Sequence, residues 1–274
     1  MSQMLERVAE GVWKTSVPCA TLPPYHHTHC YWIDTPQGLM LVDTGDGDYV
    51  RYLFQAYHEL GEPRLKAVIM THAHRDHVGG AALVWEKWHV PLCLDFKDQD
   101  LLDRDLLILP GWRNLGEENA DMFSCVELIS APGHTEGQIN LFLPTSGILI
   151  AGDNLLGNTT SVITPPHGHL RTYLKTLDRL QSLNARLALP AHGDVITDPT
   201  RYITLYRRHR FERLAQIRDV LNRKPLSANE IAKMIYPEAQ RAIGERMIIS
   251  HLQYLLEDKE ITLGDDNRYA RISS

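Results

Sequence analysis

The stretch His72-Ala73-His74-Arg75-Asp76-His77 stands directly behind an apolar run, Leu65 to Met70, and is followed by Val78-Gly79-Gly80. Four side chains able to bind a metal ion fall within six residues. No single helix face can present all four, because helical neighbours recur every three or four residues. In an extended backbone His72 and His74, two apart, point the same way. The run therefore predicts a loop at the carboxyl end of a strand, where α/β folds carry their sites. Gly79-Gly80 lets the backbone turn tightly into a following helix.

The rest of the first 200 residues alternates strand and helix signals. Val8 to Ser16, Thr28 to Asp34, Gly38 to Val42, Leu65 to Met70 and Pro91 to Leu94 read as strands. So do Val126 to Ser130, Ile139 to Leu143, Ile148 to Ala151 and Leu187 to Leu189. Tyr49 to Leu60, Ala81 to His89 and Leu170 to Leu183 have helical spacing. This order predicts a layered α/β domain. The 274 residues contain no stretch approaching the ~18 apolar residues of a membrane span. Glu6, Arg7 and Glu10 precede any apolar run, which does not read as a signal peptide. A cytoplasmic protein without a membrane partner is expected. Cys19, Cys30, Cys93 and Cys125 are scattered with no Cys-x-x-Cys pair, so they read as free thiols. Histidine, at 14 residues, is the unusual count.

Pro199 marks a boundary, giving a catalytic domain over 1–199 and a smaller one over 200–274. Thr200 to Asn222 is one long helix pattern. Ser227-Ala228-Asn229-Glu230 is a capping box. Ala239 to Leu256 is a further helix pattern weakened by Gly244, and Ile261 to Ile272 a hairpin. Three helices and a hairpin make a winged-helix-like module. Charge divides along the chain: residues 1–200 carry −10 and residues 201–251 carry +6. The basic stretch interleaves Tyr202, Tyr206 and Phe211 with Arg201, Arg207, Arg208, Arg210 and Arg213, a pattern that can bind RNA. A solvated helix face packed on the acidic domain explains it as well.

Three further candidate ligands follow predicted strands: His134 in Pro132-Gly133-His134, Asp153 in Gly152-Asp153, and His192 in Ala191-His192-Gly193. Asp43 ends the strand Gly38 to Val42. His26 and His29 lie in a loop before a strand, and His167 and His169 beside Pro165-Pro166. These four are weaker candidates for touching substrate, with hydrogen-bonded or exposed loop histidines the plainer reading.

In their order along the chain, Asp43, the His72 to His77 run, His134, Asp153 and His192 resemble the five motifs of the metallo-β-lactamase superfamily, over about residues 5 to 200. The resemblance implies an αββα sandwich. It implies that His72, His74 and His134 hold one metal, that Asp76, His77 and His192 hold a second, and that Asp153 bridges them. Asp43 would orient the ligand loop rather than ligate. Imidazole and carboxylate donors suit two divalent ions, zinc first, with iron and manganese as alternatives. A hydroxide held between the metals would attack an electrophilic carbonyl or phosphorus, with Asp76 accepting or steering its proton.

True β-lactamases of the superfamily usually place Cys or Ser near the bridging aspartate's position, so Asp153 argues against lactam cleavage. Only 38 residues separate Asp153 from His192, so the large insertion of the RNA-processing nucleases is absent. The tail, with Ile235-Tyr236-Pro237 and His251 to Leu255, is similar to a lactamase-like subgroup that carries a winged helix and includes an endoribonuclease and thioesterases. The expected reaction is hydrolysis of a small thioester or ester. The alternatives are RNA cleavage, and a metal-bearing regulator acting through the winged helix. A homodimer is compatible with this reading.

Overall fold

The computed structural model describes residues 4–21, 24–115 and 124–272. Its backbone divides into two compact units. The first comprises 1–131, 136–159 and 185–197, and the second 132–135, 160–184 and 198–274.

The first unit holds two sheets. One has seven strands in chain order: β1 (Glu6–Ala9), β2 (Val12–Pro18), β3 (His27–Thr35), β4 (Gly38–Val42), β5 (Leu65–Ile69), β6 (Leu92–Leu94) and β7 (Trp112–Asn114). Pairing is antiparallel through β4 and parallel from β4 to β7. The other sheet has β8 (Glu127–Ser130), β9 (Ile139–Leu143), β10 (Ile148–Gly152) and β11 (Leu187–Pro190), ordered β11-β10-β9-β8.

The period-two pattern of the central strands explains the layering. Cys30 and Trp32 of β3, Leu39 and Leu41 of β4, and Val68 of β5 join one buried cluster with Leu53 and Ala56 of helix α1 (Arg51–Glu59). The same cluster takes Ala81 and Val84 of helix α3 (Ala81–Trp88). The intervening residues, Tyr31, Ile33, Met40, Val42, Ala67 and Ile69, join a second cluster with Ile139, Leu141, Ile148, Ile150 and Leu189 of the smaller sheet. Each strand is thus buried on both faces, which is why it reads as a continuous apolar run. Tyr31 ties the two sheets together, its hydroxyl donating to Pro190 O at 2.6 Å.

Three local readings differ from expectation. Val8 to Ser16 is not one strand: Gly11, at φ 66°, turns the chain between β1 and β2. Arg75–Val78 winds into a single helical turn, α2, so Asp76 and His77 sit on a helix start rather than in open loop. The short strand β7 and the one-turn helix α4 (Arg104–Leu107) carry too few residues to show a period.

The second unit contains α5 (Leu170–Ser182), α6 (Pro199–Leu221), α7 (Ala228–Ile235), α8 (Arg241–Glu257) and a hairpin of β12 (Ile261–Leu263) and β13 (Tyr269–Arg271). The capping box forms: Ser227 Oγ accepts from Glu230 N, and Glu230 Oε2 accepts from Ser227 N. Gly244, which weakened the helix pattern, has a packing reason. A Cβ there would lie 2.6 Å from the Tyr236 ring. Among the described residues no helix is long and apolar enough to cross a membrane. All four cysteines are free, and three are buried.

Candidate metal centre

The site lies at the strand ends of the first unit. Asp43 follows β4 in the left-handed region, at φ 62°, and its N–H donates to Ile69 O at 2.8 Å. This turns its carboxylate toward the end of β5. Oδ1 accepts from Thr71 N at 2.7 Å. Oδ2 accepts from Thr71 Oγ1 at 2.9 Å and from His77 Nδ1 at 2.8 Å. Asp43 thus pins both ends of the ligand run and fixes the His77 tautomer, leaving Nε2 to face the site. Asp98 braces the middle of the run, accepting from Ala73 N at 3.3 Å and from Gly137 N at 2.6 Å.

Asp153 is placed by a bulge at the end of β10, where Gly152 adopts φ 46°. A Cβ on Gly152 would meet Thr71 and Gln138 at 3.0 Å. Gln138 donates to Asn154 Oδ1 at 2.8 Å, and Asn154 donates to Ala131 O at 3.2 Å, holding the bend after Asp153. His192 follows β11. Its Nδ1 donates to His27 O at 2.8 Å, and its ring stacks on Tyr25 with centroids 5.6 Å apart.

These elements bring His72, His74, Asp76, His77, Asp153 and His192 together in the first unit. His72 Nε2 and His74 Nδ1 lie 2.9 Å apart. Asp153 Oδ1 is 3.6 Å from His77 Nε2 and 3.4 Å from His192 Nε2. Asp76 Oδ2 is 3.3 Å from His192 Nε2 and 3.9 Å from His77 Nε2. One ligand atom each from His72, His77 and Asp153 fits within 4.8 Å, as does one each from Cys19, Asp76 and His192. His134 belongs to the second unit. It is buried, Nδ1 donates to Val162 O at 2.7 Å, and the backbone of Gly133 packs too closely on Tyr173 for any Cβ.

The donor set fits divalent metal. His77 Nε2 and His192 Nε2 are buried without a hydrogen-bond partner, an expensive state unless an ion takes the lone pairs. Burial works against charge on His77, but the carboxylates of Asp43, Asp76 and Asp153 outweigh it and raise its pKa to about 10. Burial would raise the Asp76 carboxyl, yet His77, His192 and His74 hold it well below the usual carboxylate range. His192 is raised too: Asp153 and Asp76 outweigh its burial. In this cluster the imidazoles and carboxylates balance one another's charge, and a divalent cation would take over that role from the imidazole protons.

Several neighbours carry no sequence signal. Cys19 is buried beside Asp76 and His192, and Thr28 Oγ1 lies 3.3 Å from both Cys19 Sγ and Asp76 Oδ2. Pairing of β2 with β3 sets Thr28 opposite Val17, close to Cys19, and no spacing rule reveals it. Of the loop histidines, His29 is spent on Ser16 Oγ and Gly193 O. Its pKa is lowered to about 3 by burial and by Lys14. His26 lines a cavity of about 390 Å³ together with Tyr25, His27 and Asp194. His169 caps α5 through Thr172 N and contacts Glu257 at 2.7 Å. His167 is half-buried in the second unit.

Two packed sheets with imidazole and carboxylate groups gathered at their strand ends define an α/β protein with a candidate metal centre. Residues 24–192 match the metallo-beta-lactamase superfamily, and the chain belongs to it. The "Beta-lactamase-like protein 2 homolog" of Drosophila melanogaster is 29% identical over 225 residues, 77% of this chain and 75% of that protein. The "Atrochrysone carboxyl ACP thioesterase nsrC" of Aspergillus novofumigatus is 29% identical over 182 residues, 62% of this chain and half of that one. A β-lactamase domain protein from Burkholderia ambifaria shares the fold with a TM-score of 0.84 at 22% identity, covering 98% of this chain and 93% of that one. TTHA1623, solved in a di-iron-bound form, has a TM-score of 0.57 at 26% identity, covering 69% of this chain and 96% of that chain.

Proposed function

We propose that this hydrolase cleaves a thioester or related small ester with two divalent ions. His72, His74 and His134 would hold one ion, and Asp76, His77 and His192 the other, with Asp153 between them. The observation that carries the reading is the convergence of His77 Nε2, His192 Nε2 and the two carboxylates on one buried point. When bound, such ions supply hydroxide at neutral pH and polarise the carbonyl under attack. Zinc is the first choice by donor type, and iron is supported by the di-iron form of TTHA1623.

The protein's own groups do the positioning. Asp43 and the carbonyl of His27 each take an Nδ1–H, which leaves Nε2 of His77 and His192 available to an ion, and Val162 O takes the Nδ1–H of His134 in the same way. Asp76, held ionised by the imidazoles of His77, His192 and His74, would accept or steer the proton of the attacking water. Tyr25, stacked on His192, joins that ligand to the cavity lined by His26 and His27, which would take the substrate. The thioester reading draws support from two fungal relatives named ACP thioesterases, at 29% and 30% identity.

The basic stripe of α6 does not form one nucleic-acid face. Arg210 and Tyr206 are buried, Arg207 pairs with Asp178, and only Arg201, Arg208 and Phe211 are exposed. We assign the winged-helix-like segment after Pro199 a structural role.

The test is metal analysis of the purified protein, followed by thioesters, lactones, phosphodiesters and short RNA as substrates. Two ions per chain and chelator-sensitive thioester turnover are expected. His72→Ala should lose both metal and turnover. RNA cleavage that weakens steeply with salt, without thioester turnover, would overturn the substrate assignment.

A further inference from the structure

Cys19 is placed differently from the other three cysteines. Cys30 packs in the apolar cluster shared with α1 and α3, Cys93 in the cluster between the sheets, and Cys125 against that second cluster. Buried cysteines of this kind act as small hydrophobes. Cys19 is buried too, yet it belongs to neither cluster. Its neighbours are polar: the Thr28 hydroxyl, Asp76 and His192. The fold fixes it there. The last ladder pair of β2 and β3 is Pro18 with His27, and Cys19 N donates to His26 O at 3.0 Å, which carries the strand geometry one residue further. The same strand end holds His192, whose Nδ1 donates to His27 O at 2.8 Å. Adjacent backbone positions thus set both the sulfur and the imidazole.

Cys19 Sγ, one carboxylate oxygen of Asp76 and one ring nitrogen of His192 lie within 4.8 Å of one another. Because His192 Nδ1 is engaged, the nitrogen left is Nε2, which is buried without a hydrogen-bond partner. Donors on one zinc ion, with bonds of about 2.0–2.3 Å, stand up to about 4.6 Å apart, so this set has the size that one ion spans. Thr28 Oγ1 has one proton and lies 3.3 Å from both Cys19 Sγ and Asp76 Oδ2, so it serves one of them at a time. A thiol adds one weak proton, which can go to the carboxylate or to the imidazole but not to both. An ion engages sulfur, oxygen and nitrogen together.

We propose that Cys19 is a thiolate ligand of the second ion, joining Asp76, His77 and His192. The proposal rests on the two-ion reading given above and adds a donor to it. One sulfur, one oxygen and two nitrogens suit a four-coordinate zinc ion. Soft sulfur favours zinc over the harder manganese, so Cys19 sets the metal preference of this ion.

The test is cobalt(II) loading of the full-length, demetallated protein, followed by absorption spectroscopy. A cobalt–thiolate bond gives an intense charge-transfer band in the near ultraviolet, which nitrogen and oxygen donors do not. The wild type should take up two cobalt ions and show this band. Cys19→Ser should lose the band, keep its Tm in excess chelator, and bind zinc at one of its two sites at least about tenfold more weakly, since even an outer partner of a ligand is worth that much. Manganese binding should change less, so the zinc preference of that site falls. If Cys19→Ser does not fold, the wild-type spectrum still decides, because the packing of the other three cysteines leaves Cys19 as the source of a band. Two bound cobalt ions without the band, or a band that survives in Cys19→Ser, would overturn the proposal and leave the two-ion reading standing. A wild type that takes up no cobalt would overturn the metal centre itself, and this ligand with it.

Discussion

Asp43→Asn tests the logic of the metal centre with one atom changed. The backbone should accept it, since Asn tolerates the left-handed φ of 62° at this position. The carboxylate now accepts three hydrogen bonds, from Thr71 N, Thr71 Oγ1 and His77 Nδ1. An amide can accept on one side only. If its oxygen stays on Thr71 N, its NH2 faces His77 Nδ1, and the imidazole must accept there. The ring proton then moves to Nε2, the atom that faces Asp76 and Asp153. If the amide flips, its NH2 opposes Thr71 N–H at 2.7 Å, leaving a buried donor unpaired at a cost of about 1–3 kcal/mol. The first arrangement keeps the fold and spoils the ligand. Loss of such an orienting partner weakens metal binding about 10–100-fold, or about 1.4–2.8 kcal/mol. The assay is competition with a chromophoric chelator, with thermal unfolding in excess chelator as the control for the fold. We expect one ion to weaken by that factor while Tm without metal changes little. Wild-type affinity for both ions in a folded Asp43→Asn protein would refute the claim that Asp43 sets the His77 tautomer.

Two further outcomes follow from the second unit. His251 titrates at about 3 in the folded protein, lowered by burial and by Arg210 and Arg213, against about 6.5 unfolded. Below pH 6.5 the unfolded chain binds a proton that the folded chain refuses, so stability falls with decreasing pH by up to about 1.4 kcal/mol per unit until pH 3. His251→Leu should flatten urea midpoints measured between pH 6.5 and 5, and an unchanged slope would contradict the assignment. Gly244→Ala sets helix propensity, which favours Ala by about 1 kcal/mol, against a Cβ forced to 2.6 Å from the Tyr236 ring. Overpacking of this kind costs about 1–3 kcal/mol, so a net loss of stability is expected in denaturant titrations, and a gain would show that Tyr236 moves aside freely.

Much of this was legible in the sequence because strand ends punctuate it. Gly38 to Val42 and Leu65 to Met70 are continuous apolar runs, and the polar residues after them are those the site uses. The ligand run was visible because its donors are crowded. Asp43, His134, Asp153 and His192 became legible only as an ordered set, each one alone being an ordinary turn residue. Cys19, Thr28, Tyr25 and Asp98 were not legible at all. They reach the site through strand register and loop packing, and contacts between residues so far apart in sequence leave no local period. The same holds for Arg210. Within a run of arginines it looked like one more surface charge, and only the way α6 packs shows that it points inward.

The bend at Gly152 and the end of β11 put Asp153 and His192 in place through the parallel pairing of β10 with β11, and the Tyr31 and His27 contacts bind that sheet to its neighbour. The donors of the first unit thus span from residue 72 to residue 192 and meet only when strands far apart in the chain have paired. Pairings of such long sequence separation are slow to close. A nascent chain stalled before residue 153 would expose the crowded His72 to His77 run without either distant partner, Asp153 or His192. Capture of the second ion would therefore report completed assembly of both sheets, making metal uptake a timestamp for the last step of folding.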